Sequence, residues 1–84
     1  MAVNFTQHAL TRMLERGISR EEVLATLAQP LMVVLAQGDR KEARGWIERS
    51  SRRMLLRVIY QDDIVLTVIT VLATSKFEKY GVTE

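Results

Sequence analysis

The chain has no cysteine, which excludes disulfide bridges and thiolate metal sites. Its single proline and four glycines leave no tract in which a flexible linker or a glycine-rich phosphate loop would sit. One histidine and only adjacent carboxylate pairs do not make a metal-ligand set, so neither metal nor cofactor is expected. Long apolar runs are scarce as well. Ile64 to Ala73 is roughly half the length a membrane-spanning helix needs, and Met1 to Phe5 lacks the basic and apolar blocks of a signal peptide. The expectation is a soluble, cytoplasmic protein without a membrane partner.

What is present is a patterned chain of 84 residues, 48% hydrophobic and 26% charged. That is enough for one domain over 1–84 with a thin core, to which a homodimer would add burial. Thr6 reads as an N-cap, with Phe5 and Leu10 placed as a hydrophobic staple, and helical periodicity then runs to Arg16 before Gly17 ends it. Ser19 and Glu22 form a capping box for a second helix, Ile18 and Val23 staple across it, and Val23, Leu24, Leu27 and Ala28 make its buried face until Pro30. From Leu31 the period changes to strand. Leu31 to Ala36, Glu42 to Glu48 with Gly45 as a candidate bulge, Arg53 to Gln61 and Ile64 to Thr74 read as strands. Turns at Gln37 to Arg40, Ser50-Ser51 and Asp62-Asp63 separate them, and the last strand is apolar on both faces, hence central.

The pattern predicts an α+β domain, with two N-terminal helices packed on one face of a four-stranded antiparallel sheet and Ser75 to Tyr80 as a short C-terminal helix or a frayed tail. Two helices cannot cover both faces. The other face is left for solvent, a second subunit or a ligand, and Arg44, Trp46, Arg57 and Thr70 are candidates for it.

The net charge is only +2, yet most of the basic residues are arginine, which binds phosphate bidentately and keeps its charge at any relevant pH. Arg49, Arg52, Arg53 and Arg57 cluster in sequence, and His8, Arg12 and Arg16 recur every fourth residue, so on a helix they share a ridge beside the Phe5, Ala9, Met13 stripe. Such a ridge suits metal-independent RNA cleavage. This reaction needs a base for the 2′-hydroxyl, an acid for the leaving oxygen and fixed positive charge at the phosphorane. His8 is the candidate base, Arg12 and Arg16 the phosphate ligands, and Arg57 a further one if its face is presented. Tyr60, Tyr80 and Lys76 are all candidates for the acid, and spacing selects none of them. The competing reading has Arg12 and Arg16 ion-paired with acidic residues of the next helix and His8 packed locally.

The residues Phe5-Thr6, His8-Ala9, Arg12-Met13, Arg16-Gly17-Ile18 and Glu22-Val23, with the apolar Val68-Ile69-Thr70-Val71 of the last strand, resemble a family of small bacterial proteins known as domain of unknown function 4258. The resemblance implies a fold similar to the RelE and BrnT toxins, whose relatives cut messenger RNA and are neutralised by antitoxin proteins. By that analogy His8, Arg12, Arg16 and Thr70 match characteristic positions. RelE-type enzymes use lysines, arginines and a C-terminal tyrosine, and Lys76, Lys79 and Tyr80 supply that set by composition. Two functions fit these residues. One is a toxin-type endoribonuclease with His8, Arg12 and Arg16 catalytic and Arg57, Thr70, Lys76 and Tyr80 binding RNA; the other is a non-enzymatic interaction module that forms a homodimer or binds a protein partner.

Overall fold

Thr6 has extended backbone and its hydroxyl accepts from the Ala9 N–H, so α1 (Gln7–Arg16) begins at the predicted cap; it ends where Gly17 takes the left-handed conformation (φ 64°). Ser19 and Glu22 complete the reciprocal capping box that opens α2 (Arg20–Ala28). A computed structural model describes residues 2–82. In it these helices sit among β1 (Val3–Phe5), β2 (Met32–Leu35), β3 (Lys41–Arg49), β4 (Arg52–Asp62) and β5 (Leu66–Thr74), followed by a 3₁₀ turn, Phe77–Tyr80.

The sheet has five strands in the order β1-β5-β4-β3-β2, and β1 runs parallel to β5, so the four-stranded, all-antiparallel expectation is corrected. Three residues are too few for a period-two pattern to show, and Phe5 was readable as the staple of a helix. Leu10, its expected staple partner, is 41% exposed, while the guanidinium of Arg20 lies 4.5 Å from the Phe5 ring centroid. β5 does lie inside the sheet, between β1 and β4. It starts at Leu66 rather than Ile64, which is fully exposed in the connecting turn.

Gly45 carries no bulge. β3 pairs in unbroken register with β4 from Lys41 to Arg49, and the irregularity falls at Ile59/Tyr60 instead. Gly45 is needed for closeness to α2, because a Cβ there would lie 2.9 Å from the Thr26 hydroxyl oxygen. Thr26, not Ala28, joins Val23 on the buried side of α2, and its hydroxyl is satisfied by the Glu22 carbonyl at 2.9 Å. The Ser50-Ser51 turn holds both residues at positive φ (50° and 66°), the geometry that matches strand twist in a tight hairpin.

Both helices cover one face. Ala9, Met13, Ile18 and Val23 pack there against Ile47, Leu56, Val58, Val68 and Val71. Strand alternation then directs Glu42, Arg44, Trp46, Arg57 and Thr70 to the opposite face. Arg49 ties the helical layer to the sheet, donating to Glu22 at 2.6 and 2.7 Å and to the Gly17 carbonyl at 2.8 Å. That bond, set against partial burial and aided by the Ser19 amide, lowers the Glu22 carboxyl to a pKa of about 2.

Candidate functional site

The His8, Arg12, Arg16 ridge forms, but its members differ in setting. His8 and Arg16 are exposed, whereas Arg12 is half-buried with its Nε out of solvent and without a hydrogen-bond partner among the described residues. The expected ion pairs with the second helix are absent among the described residues; of the two carboxylates there, Glu22 is taken by Arg49 and Glu21 is exposed. The ridge lies on the helical layer, so Arg57, which faces the other way, does not reach it. Tyr60 is on the helix side and buried, so it faces away from the arginine face, and burial followed by the nearby Asp62 pushes its phenol up.

The polar groups that do converge are on the opposite face. Register places Arg44 directly across from Arg57 and Glu42 across from Ile59, with the glutamate between the two guanidiniums. The Glu42 carboxylate accepts from Arg57 Nε and Nη2 at 2.9 Å each and from Arg44 Nε at 2.6 Å, and its side chain is only 6% exposed. Burial alone would raise this carboxyl, but the bonds from Arg57 and Arg44 outweigh it and hold the pKa below its ordinary value. Arg57 is held above its ordinary value chiefly by the same bond.

The C-terminal 3₁₀ turn closes over this group. Tyr80 stacks on both guanidiniums, 4.2 Å from Arg57 and 5.3 Å from Arg44 to the ring centroid. Its hydroxyl oxygen accepts from Arg57 Nη1 at 3.2 Å, and its carbonyl accepts from Arg44 Nη1 at 2.8 Å. At the other end of the turn Phe77 meets Trp46 edge to face at 4.8 Å, and Arg53 lies 5.0 Å over the same indole. Ser75 to Tyr80 is therefore a packed turn, not a frayed tail.

Each guanidinium has five N–H donors. Arg57 spends three, on Glu42 twice and on Tyr80 once; Arg44 spends three, on Glu42, Tyr80 and the Met32 sulfur. Two remain on each, on side chains 12% and 18% exposed, and two cations against one carboxylate leave the group positive. A concavity of about 610 Å³ opens at the Phe77 end, lined by Glu48, Ser51, Arg52, Arg53, Ser75 and Phe77. Of the other sequence candidates, Thr70 is half-buried on this face opposite Ile59, and Lys76 and Lys79 are exposed beside it in the chain. Glu42 was missed from sequence. Its signal was available: a carboxylate alternating with Arg44 and Trp46 along one strand face.

Fold and site together define a small α+β domain in which two helices seal one face of a mixed sheet and an arginine-tyrosine cluster occupies the other. The chain belongs to the family described as Domain of unknown function (DUF4258), matched over residues 5–76. No curated protein and no solved structure matches it. Among the described residues, no helix is long and apolar enough to cross a membrane.

Proposed function

We propose that the protein acts on RNA from the face opposite the helices, as a toxin-type endoribonuclease that needs no metal. What carries the reading is the contact between Arg57 and the Tyr80 hydroxyl, beside a second arginine held by the same buried carboxylate. In this reading the free N–H groups of Arg57 and Arg44 hold the scissile phosphate and neutralise the charge that develops on it. Glu42 is a positioning residue: with its oxygens occupied by guanidiniums and its pKa lowered, it orients them and is a poor base. The RNA 2′-oxygen attacks phosphorus, the bond to the 5′-oxygen breaks, and Tyr80 gives that oxygen its proton. The 2′-hydroxyl proton passes to water. His8, Arg12 and Arg16 are then an outer basic ridge and not the reacting centre, which changes the role that sequence suggested for them.

The test is cleavage of a labelled single-stranded RNA in the presence of chelator. Tyr80→Phe removes one oxygen and keeps the stacked ring, so it is expected to fold and to lose at least a hundredfold in rate, within the range general acids contribute. His8→Gln is expected to cleave as the wild type does. Cleavage lost in His8→Gln and kept in Tyr80→Phe would reject the assignment.

A second reading, an interaction module, is favoured by one observation of its own: Leu31, Val33 and Leu35, in and beside edge strand β2, are 48%, 45% and 86% exposed.

A further inference from the structure

β2 is the last strand on its side of the sheet, and Met32–Leu35, though short, carries none of the charged or proline residues that usually protect an edge. The segment is Met-Val-Val-Leu, with no charge, no proline and an unbroken register against β3. Helix α1 packs on β5 and α2 on β3 and β4, so the helix side of β2 is left uncovered. Val33 and Leu35 stand exposed there, and Leu31, just before the strand, is exposed as well.

The backbone of this edge is directed. Ala36 N–H donates to the Arg40 carbonyl at 2.8 Å, and residues 32 and 34 share its parity, opposite Arg44 and Glu42. In an antiparallel ladder those residues turn their N–H and C=O groups toward β3, and Val33 and Leu35 turn theirs outward. Outward amides and uncovered apolar side chains therefore coincide on Val33 and Leu35, while Leu31, just before the strand, turns its N–H inward to the Arg44 carbonyl at 2.8 Å.

We infer that β2 pairs antiparallel with β2 of a second copy of this chain, about a two-fold axis through Val33. The inference rests on the interaction reading and is independent of the RNA reading. A two-fold interface must be complementary to itself, and this strand is. With Val33 facing Val33 of the partner subunit, Met32 faces Val34 of the partner subunit on the other face, and Leu35 lies across from the partner's Leu31, an apolar residue at the end of the seam whose N–H stays bonded within its own chain. Like charges are not opposed, because the strand has none and the adjoining turn carries Asp39 and Arg40, which cancel. A foreign acidic or basic peptide would find no charge in the strand to select it.

The axis stands perpendicular to the sheet, which gives ten continuous strands with all helices on one side and both Arg57–Tyr80 clusters on the other. So short a seam belongs at the small end of protein interfaces, and the dimer is expected to dissociate on dilution.

Sedimentation equilibrium of the whole chain across a wide concentration range is expected to pass from the 9.6 kDa monomer to a dimer. Val33→Lys sets two charges against each other at the axis and is expected to stay monomeric with an unchanged melting temperature. Val33→Cys, in a chain with no other cysteine, gives a test of register. A hydrogen-bonded antiparallel pair has Cα atoms about 5.5 Å apart, inside the range a disulfide spans. Mild oxidation is expected to cross-link Val33→Cys into dimers and to leave Leu35→Cys largely uncross-linked, because Leu35 faces Leu31. A monomer at all concentrations overturns both the inference and the homodimer form of the interaction reading. A dimer that survives Val33→Lys, or that cross-links equally through Leu35→Cys, overturns this interface alone.

Discussion

On the helix side of the sheet, Val23, Leu56, Val58, Val68 and Val71 are fully out of solvent, and an apolar residue of similar volume would serve at each. On the opposite side Glu42, Arg44, Arg57 and Tyr80 close the sheet through directed bonds between charged groups, and removing one strands the others. Apolar burial needs only the right amount of surface in the right place. A buried charged cluster is expensive to desolvate and is often no more stabilising than an apolar substitute of similar volume.

Breaking each side in turn separates these causes. The largest loss is expected from Glu42→Ala, which leaves two guanidiniums buried against each other and should cost about 3–5 kcal/mol in a denaturant titration. On the helix side, Gly45→Ala pushes a methyl group to within 2.9 Å of the Thr26 hydroxyl oxygen. It is expected to cost about 1–3 kcal/mol. The double variant with Thr26→Ala should lose less than the two single losses combined, since the clash is shared.

The smallest effect concerns acid. Glu22 and Glu42 both have lowered pKa values, Glu22 to about 2, so each binds a proton less readily folded than unfolded. Their contributions are complete above the ordinary carboxylate range and fade as pH falls toward the folded values. Arg49→Ala should lower the unfolding free energy at neutral pH by the worth of a partly exposed pair, about 1 kcal/mol or less, and the gap to wild type should close toward pH ~2. A gap independent of pH would show that Arg49 acts through its bond to the Gly17 carbonyl instead.

Sequence carried the helical layer well because its signals are local. A cap, a capping box and a left-handed glycine each involve residues within a few positions, and all three lie where they were read. The Ile18 and Val23 staple positions are both buried. The sheet was less legible. β1 has three residues and owes its existence to pairing with Val68 and its neighbours far along the chain. The face opposite the helices was legible as a face, since Arg44, Trp46, Arg57 and Thr70 follow from alternation. The bonding on it was not. Glu42 reaches Arg57 across a separation of 15 residues, and Arg44 reaches Tyr80 across 36, and only the strand register and the path of the last turn determine such meetings. The ridge of His8, Arg12 and Arg16 drew attention for the opposite reason, because helical spacing is visible without any tertiary information.

In the proposed function, ligand chemistry belongs to the arginine-tyrosine face and not to the helical ridge. It is tested most directly by titrating the isotope-labelled protein with a short single-stranded RNA, 2′-O-methylated so that it cannot be cleaved, and following amide and side-chain NMR shifts. The strongest perturbations are expected on Arg44, Trp46, Arg57 and Tyr80, with His8 and Arg12 nearly unmoved. Shifts centred on His8, Arg12 and Arg16, with the Tyr80 cluster silent, would contradict it.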